Sequence, residues 1–416
     1  MIKITILIGI MLLLYSCGGG DRQATASTSE TIETIKIAST DPVIIDIAGN
    51  LENRKEFRLS DFGLSARYIR IQLPEGVEFT RTLNVLSDND NIFINTVQGL
   101  FWYSAKGEYI APLHINEFEN TEHGARMLRG IASNVDLLNG SLFYYTIEGR
   151  ESQPNILDVK ELKNKILSDY HVQFQSAFFP RNVVVAGRNF LIDNQSYLTI
   201  GGFTRPVSTF TAMSIQGDTL FRLNNYYQPT IRGGSFSRTT ETFYRIGGNV
   251  MLQKAYNDTV FALIPPNRLE PAFVMDWGEF RPDMNRFANG GAEEGKFILR
   301  NWVETQQHIF IEYTEGRDFP ARREREGNIP RHLAIFDKET KTLTHHTAPI
   351  FMFENDIDPV GMPFFPQGVN HHGEMYMVFS KAQVQQQIDI GRFNNSRLQA
   401  LYNRMPEGSF YLMIVK

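Results

Sequence analysis

The stretch Gly217-Asp218-Thr219-Leu220-Phe221-Arg222-Leu223 returns as Asn257-Asp258-Thr259-Val260-Phe261-Ala262-Leu263. From Asp218 to Asp258 the step is 40 residues. That step matches the roughly 40–50-residue unit of a β-propeller blade, a four-stranded sheet that cannot bury both faces alone. Stacking such units around an axis buries all of them. The turn chemistry agrees. Asn257 and Asp258 tolerate left-handed backbone and bond back to the main chain, and the β-branched Thr259 and Val260 start a strand. Weaker echoes, an aromatic among other large residues, fall at Phe93, Phe143, Phe310 and Tyr376.

The chain around the repeat has the same texture. From about residue 41, runs such as YIRIQL, NIFINTV, SLFYYTI, NVVVAG, HIFIEYT, HLAIFD and MYMVFS alternate with Gly, Asn, Asp and Pro. Runs of this length bounded by turn residues read as strands. Helical spacing occurs twice: in DVKELKNKILSDY (158–170), through Val159, Leu162, Ile166 and Leu167, and in KAQVQQQIDIGRFNNSRLQALYNRM (381–405), broken around Gly391 to Asn395. The expected fold is all-β: a six-bladed β-propeller, with seven blades as the alternative count, and few short helices. A β-sandwich is the competing architecture, and the length and the repeat step favour the propeller. Hydrophobic residues at 42% and aromatics at 12% supply a large core. A net charge of −5 gives no concentrated basic face for nucleic acid. A single cysteine excludes an internal disulfide framework and a multi-cysteine zinc site.

One stretch carries a resemblance. LQKAYNDTVFALIPPNRLEPAFVMDWG (252–278) resembles the signature of a six-bladed β-propeller family of bacterial lipoproteins, TolB/NHL-like and mostly uncharacterised. In that family an Asn-Asp-Thr strand start leads to a Pro-aromatic-aliphatic strand ending in Asp-x-Gly. The matching positions are Asn257, Asp258, Thr259, Pro271, Phe273, Asp276 and Gly278. FRLSDFGLSARYIRIQLPEG is similar to the family's first strand, ENDIDPVGMPFFPQGVNHHGEMYMVFSKAQV to its acidic turn and last blade, and GSFYLMIVK to its closing strand. The chain departs from the pattern at FENTEHGARMLRGI, where members have a Gly-Pro-Gly-Glu-like loop; any shared ligand is in doubt there. The resemblance implies a fold and a location rather than a chemistry. Ring closure implies that SFYLMIVK pairs with a strand drawn from residues 41–73.

The amino terminus points to the same location. Lys3 precedes an almost wholly apolar run, Ile4 to Tyr15, which is too short to span a bilayer and fits the apolar region of a secretory signal. It ends in Leu14-Tyr15-Ser16-Cys17, which resembles the lipobox of bacterial lipoproteins. The resemblance implies cleavage before Cys17 and a diacylglycerol on its thiol. The alternative is an ordinary secretory signal with an incidental cysteine. GGGDRQATASTSETIET (18–34) is too polar to offset its ordering entropy and reads as a tether. The expected organisation is a signal peptide over 1–16, a flexible tether over 17–40 and a propeller over 41–416.

No catalytic motif is complete. GGAEEGKF (290–297) holds Gly290, Gly295 and Lys296 of a phosphate-binding loop, but Phe297 replaces the hydroxyl and FILRNWVE after it reads as a strand, so a loop between blades is the better reading. His345-His346 and His371-His372, with His308 and His332, invite a metal, yet neighbours in a strand point to opposite faces, and turn histidines explain them as well. Glu354, Asp356 and Asp358 offer oxygen ligands without the glycine and distal glutamate of a calcium loop, and a structural turn explains them. RDFPARREREGNIPRH (317–332) reads as a solvated insertion ahead of an anion-recognising patch. Asp218-Thr219-Leu220 and Asp258-Thr259-Val260 also resemble a bacterial O-glycosylation sequon, although turn and strand chemistry already explain them. No Gly-x-Ser-x-Gly elbow occurs.

The resulting expectation is a lipid-anchored protein of the cell envelope, in the outer membrane and facing the periplasm or the surface. It acts as a binding or scaffolding module for a glycan, peptide or protein partner, without cofactor, metal or nucleic acid. The alternative is a propeller lyase or hydrolase with an axial His, Arg or carboxylate site. Cys17 is the one residue to which a role is given, that of lipid attachment.

Overall fold

The structure is a computed structural model. It describes residues 41–74, 77, 82–88, 90–121, 248–253, 257–264, 268–283, 295–316, 330–347, 352–391, 393 and 395–416, and elsewhere only the strands given below. All belong to one unit, Glu33–Lys416. The signal peptide, Cys17 and most of the tether fall outside the described residues.

Six separate hydrogen-bonded sheets make up the described body. Sheet I is a four-stranded meander of Thr82–Ser87, Asn91–Thr96, Gly99–Ser104 and Tyr109–Ile115. Sheet II joins Asp136–Leu138, Ser141–Glu148, Glu151–Asp158 and Lys163–Ile166, with the hairpin Glu117–Thr121 and Gly124–Ile131 added. Sheet III runs Val183–Ala186, Asn189–Ile192, Phe203–Ser214 and Thr219–Asn224, with Ser196–Ile200 and Ile231–Arg232 on the long strand. Sheet IV is Thr242–Ile246, Asn249–Gln253, Thr259–Ile264 and Arg268–Asp276. Sheet V is Phe297–Glu304, His308–Glu315, Arg331–Asp337 and Thr342–His346. Sheet VI is Gly368–Val369, Met375–Ser380, Phe410–Val415 and Ala66–Ile71.

Packing arranges these sheets as in a propeller. One buried core joins sheets IV and V through Met251, Phe273, Ile309, Ile311 and Phe336. Another joins V and VI through Phe310, Leu333, Met377 and Met413. A third joins VI and I through Ile71, Leu412, Ile414, Ile94 and Phe101, and a fourth joins I and II through Phe93, Leu100, Leu142 and Tyr144. The first strands of the sheets meet one another: 136–138 touches 82–87 and 183–186, 183–186 touches 242–246, and 297–304 touches 368–369. They form the inner edge, and the fold is a mostly β, propeller-like arrangement with few helices. A two-sheet sandwich does not describe it.

Both chain ends contribute strands far from their neighbours in sequence. Phe410–Val415 lies between Met375–Ser380 and Ala66–Ile71, antiparallel to both, as closure requires. The segment before Ala66 runs along outer edges instead. Glu33–Thr34 adds parallel to Thr219–Asn224 in sheet III, and Lys36–Ile37 and Val43–Asp46 add to Arg268–Asp276 in sheet IV. Arg54–Lys55 adds to Thr342–His346 in sheet V. This belt caps edges that would otherwise offer free backbone groups.

Local chemistry explains the elements. The hairpin between Asn91–Thr96 and Gly99–Ser104 turns on Val97 and Gln98; a Cβ at Gly99, where φ is +149°, would meet the His114 carbonyl oxygen at 2.2 Å. The helical stretch near the end forms α1 (Lys381–Ile390) and α2 (Asn395–Arg404). Ser380 and Gln383 form a capping box at the start of α1, and Gly391 ends it in the left-handed region at φ 69°. Val384, Leu398, Leu401 and Met405 seat the pair on the V–VI core.

Two expectations need correcting. The described part of the 158–170 stretch is not helical as expected: Lys163–Ile166 is a strand, antiparallel to Asn155–Asp158, so backbone pairing at the sheet edge overrides the local spacing. The Asp-Thr repeat also does not mark one blade position. Thr259–Ile264 is the third strand of its sheet, whereas Thr219–Asn224 follows Phe203–Ser214 as the fourth. The weaker echoes do better. Phe93, Phe143, Phe310 and Tyr376 are all buried, each on the strand beside the innermost one of its sheet.

Candidate functional site

The inner strands carry the buried carboxylates Asp136 and Glu304. On Thr242–Ile246, Tyr244 and Arg245 are neighbours and therefore point to opposite faces. The Tyr244 hydroxyl donates to Glu304 Oε2 at 2.6 Å and accepts from Trp302 Nε1 at 2.8 Å. Lys338 Nζ donates to Glu304 Oε1 at 2.7 Å and to the Thr305 carbonyl at 3.1 Å. Burial, and then the Glu304 charge, push the Tyr244 hydroxyl well above its ordinary pKa, so it stays a donor. Arg245 reaches Asp136 on the inner strand of sheet II, with Nη2 2.7 Å from Oδ2 and Nε 3.1 Å from Oδ1. A two-point guanidinium–carboxylate contact fixes orientation as well as charge. These groups tie sheet IV to V and sheet IV to II.

The signature residues of sheet IV form a third tie. Asn257 Oδ1 accepts the Thr259 N–H at 2.9 Å, as the turn chemistry requires. Asp258 is buried; it accepts Trp277 Nε1 at 3.1 Å and pairs with Arg281 at 2.6 Å. Burial raises its pKa, while Arg281 and Trp277 oppose that shift. Asp276 Oδ1 takes the Gly278 N–H at 2.9 Å.

Each histidine has its own structural setting. His345 is buried. Its Nδ1 lies 3.0 Å from the Asn50 carbonyl, which can only accept, so Nδ1 carries the proton and Nε2 accepts the Tyr313 hydroxyl at 2.9 Å. His346 Nδ1 accepts the Phe57 N–H at 3.1 Å. His332 pairs with Glu315 at 2.7 Å and stacks on Tyr313. His308 packs edge-on against Phe62, and burial lowers its pKa. His371 and His372 sit in a turn, not a strand, with ring centroids 3.8 Å apart, so face alternation does not apply to them. Among the described residues, no three His, Cys, Asp or Glu side chains are grouped to hold a metal.

The acidic turn is structural. Asp358 accepts from Tyr68, Asn355, Val360 and Gly361; Asp356 accepts from Ser60; Glu354 lies 3.6 Å from Arg58. Of the phosphate-loop look-alike, residues 290–294 fall outside the described residues. Lys296 donates to the Glu279 carbonyl, and Phe297 opens a strand rather than a helix. Most of the 317–332 charge run also falls outside them; of its end, Arg331 contacts Glu312. Sequence reasoning missed Arg245, Asp136 and Glu304, since a partner two sheets away leaves no spacing to read.

The comparisons with known proteins fit this architecture. A family model described as "Domain of unknown function (DUF4933)" matches residues 30–389. The chain belongs to this family. No curated protein matches it by sequence. Among solved structures, this DUF4933 chain is similar to a Bacteroides fragilis protein described as exported, with TM-score 0.57 and 13% identity over 90% of this chain and 100% of that one. It also matches a DUF4221-family member from Bacteroides vulgatus, with TM-score 0.43 and 8% identity over 84% of this chain and 96% of the other. The first of these supports the fold. Among the described residues, no helix is long and apolar enough to cross a membrane.

Proposed function

We propose that this DUF4933 protein is a non-catalytic binding or scaffolding module, anchored outside the cytoplasm through Cys17, and that its six sheets are the six blades of one ring, like the TolB/NHL-like lipoproteins. One observation carries the binding role: the buried carboxylates of the inner strands are committed within the frame, Asp136 to Arg245 across sheets II and IV, and Glu304 to Tyr244 of sheet IV and Lys338 of its own sheet. Such ties make a rigid frame and leave recognition to the loops it presents. The location rests on the lipobox-like Leu14–Cys17 stretch and on similarity to a protein described as exported. The partner class is a glycan, a peptide or another protein.

Screening the purified protein against glycan and peptide arrays tests the role. Saturable binding without turnover is expected. Turnover of an array member, abolished by a single substitution, would overturn the reading. Metabolic labelling with palmitate tests the anchor: label on the native chain and none on Cys17→Ala is expected, and an unlabelled native chain refutes it.

A further inference from the structure

Between Ile47 and Leu59, both fully buried, the belt crosses the outer edge of sheet V without burying a single residue. Ile47 is held in the IV–V core and Leu59 in the V–VI core. Leu51 and Phe57 pack against those two cores, and between them the stretch is pinned to Thr342–His346 by polar contacts. The His345 N–H donates to the Asn53 carbonyl at 2.8 Å, the Thr347 N–H to the Lys55 carbonyl at 3.1 Å, and Asn53 Nδ2 to the Leu343 carbonyl at 2.6 Å. Two more contacts come from imidazole rings. His345 Nδ1–H donates to Asn50, and His346 Nδ1 accepts from Phe57. Adjacent strand residues with rings on opposite faces thus grip the two ends of one segment.

We propose that Asn50–Phe57 is an acid-released flap, hinged at Ile47 and Leu59 and latched by neutral His345 and His346. The two contacts respond differently to a proton: the His345 Nδ1–H bond to Asn50 survives it and favours the charged ring, so what opposes the proton there is burial, whereas a proton on His346 Nδ1 removes its contact. A proton on His346 Nδ1 would set N–H against the Phe57 N–H. A proton on His345 Nε2 would remove the acceptor of the Tyr313 hydroxyl and place a cation in a buried site. Of the groups around the latch, the Asn50 carbonyl favours charge on His345 and the basic side chains oppose it. His332 and Arg54 disfavour charge on His345, and Tyr313 supplies only a neutral hydroxyl. His332 is itself paired with Glu315, and Arg331 with Glu312. Beside His346, Lys55 is its register partner and is paired with Asp61, while Arg58 is paired with Glu354. The carboxylates nearest the latch are thus engaged by other cations. Burial, the largest cause, pushes His345 from 6.5 down to about 4.

The linkage has a definite sign. In the lifted state His345 regains its ordinary basicity, so that state binds the proton first and gains population as pH falls from 6.5 towards 4. From His345 alone, the lifted fraction rises roughly 20-fold between pH 7 and pH 5. Hydrogen exchange on the full chain, corrected for intrinsic rates, reads this directly. Peptides covering Asn50–Phe57 and Thr342–His346 should lose at least about 10-fold in protection between pH 7 and pH 5, while His308–Tyr313 keeps its own. A flap unchanged with pH, or a loss shared equally by His308–Tyr313, overturns the proposal. His345→Gln, which cannot titrate, should flatten the pH response; a response of undiminished size in a folded His345→Gln chain refutes the latch.

Discussion

The two ends of the described body both reach sheets remote in sequence, yet they do so differently. Phe410–Val415 enters the middle of sheet VI, bonded on both sides, and buries Leu412, Met413, Ile414 and Val415. The amino-terminal belt lies along edges in pieces of two to four residues, bonded on one side. Among the described residues of its first half, only Ile45 and Ile47 are fully buried. Position within a sheet therefore separates a part that completes the core from a part that covers it. A central strand contributes two ladders and two apolar faces, an edge strand one ladder and some shielding.

The largest expected effect comes from the carboxyl end. Deleting Ser409–Lys416 removes the strand that joins Met375–Ser380 to Ala66–Ile71, and the cooperative thermal transition should disappear from a circular dichroism melt. Deleting Glu33–Ile37, which carries two edge strands, should cost less than about 1 kcal/mol in the same assay, in line with ordinary surface changes. Equal effects would break the comparison.

Next is the inner frame. Glu304→Ala leaves Lys338 without its carboxylate and Tyr244 without its acceptor. Breaking a buried pair costs about 3–5 kcal/mol, measurable by urea unfolding. A cost near zero would mean that the IV–V tie is not structural.

Acid should act mainly at the belt. His345 is depressed in the folded state, so its stabilising contribution is complete above pH 6.5 and is lost as pH falls to about 4. At about 1.4 kcal/mol per unit, the loss over that window is about 3 kcal/mol of global stability. A urea series from pH 7 to pH 4 in the native chain and in His345→Gln checks it, and the native chain should show the steeper decline. The smallest effect is expected from Tyr103→Phe. The Tyr103 hydroxyl is buried with no hydrogen-bond partner among the described residues, so removing it should leave stability unchanged or raise it by about 1 kcal/mol. A loss above about 1 kcal/mol would point to a buried water as its partner.

The strand texture is legible in the sequence because burial on alternating faces writes itself into short apolar runs. Closure by the last strand is legible because an open sheet end is a physical liability. Helix α1 and its stop are readable from Ser380, Gln383 and Gly391, which act locally. The 158–170 segment misleads because its partner, Asn155–Asp158, and the edge position decide its state, and local spacing records neither. The clearest repeat is a poor ruler: Asp-Thr starts mark turns, which occur at any blade position, whereas a buried aromatic beside the inner strand marks a packing position. The ion ties are invisible in the sequence because Arg245 and Asp136 lie 109 residues apart and meet only through the fold.

The strand that closes sheet VI also fixes the order in which the molecule is made. In synthesis Ala66–Ile71 emerges long before its partner, Phe410–Val415. The belt likewise waits for sheets III, IV and V. Contacts of such sequence separation make folding slow and leave unpaired edges exposed in the interim. The nascent chain therefore remains an open substrate for chaperones until Phe410–Val415 has emerged, and a ribosome stalled before that strand yields a product without this seam.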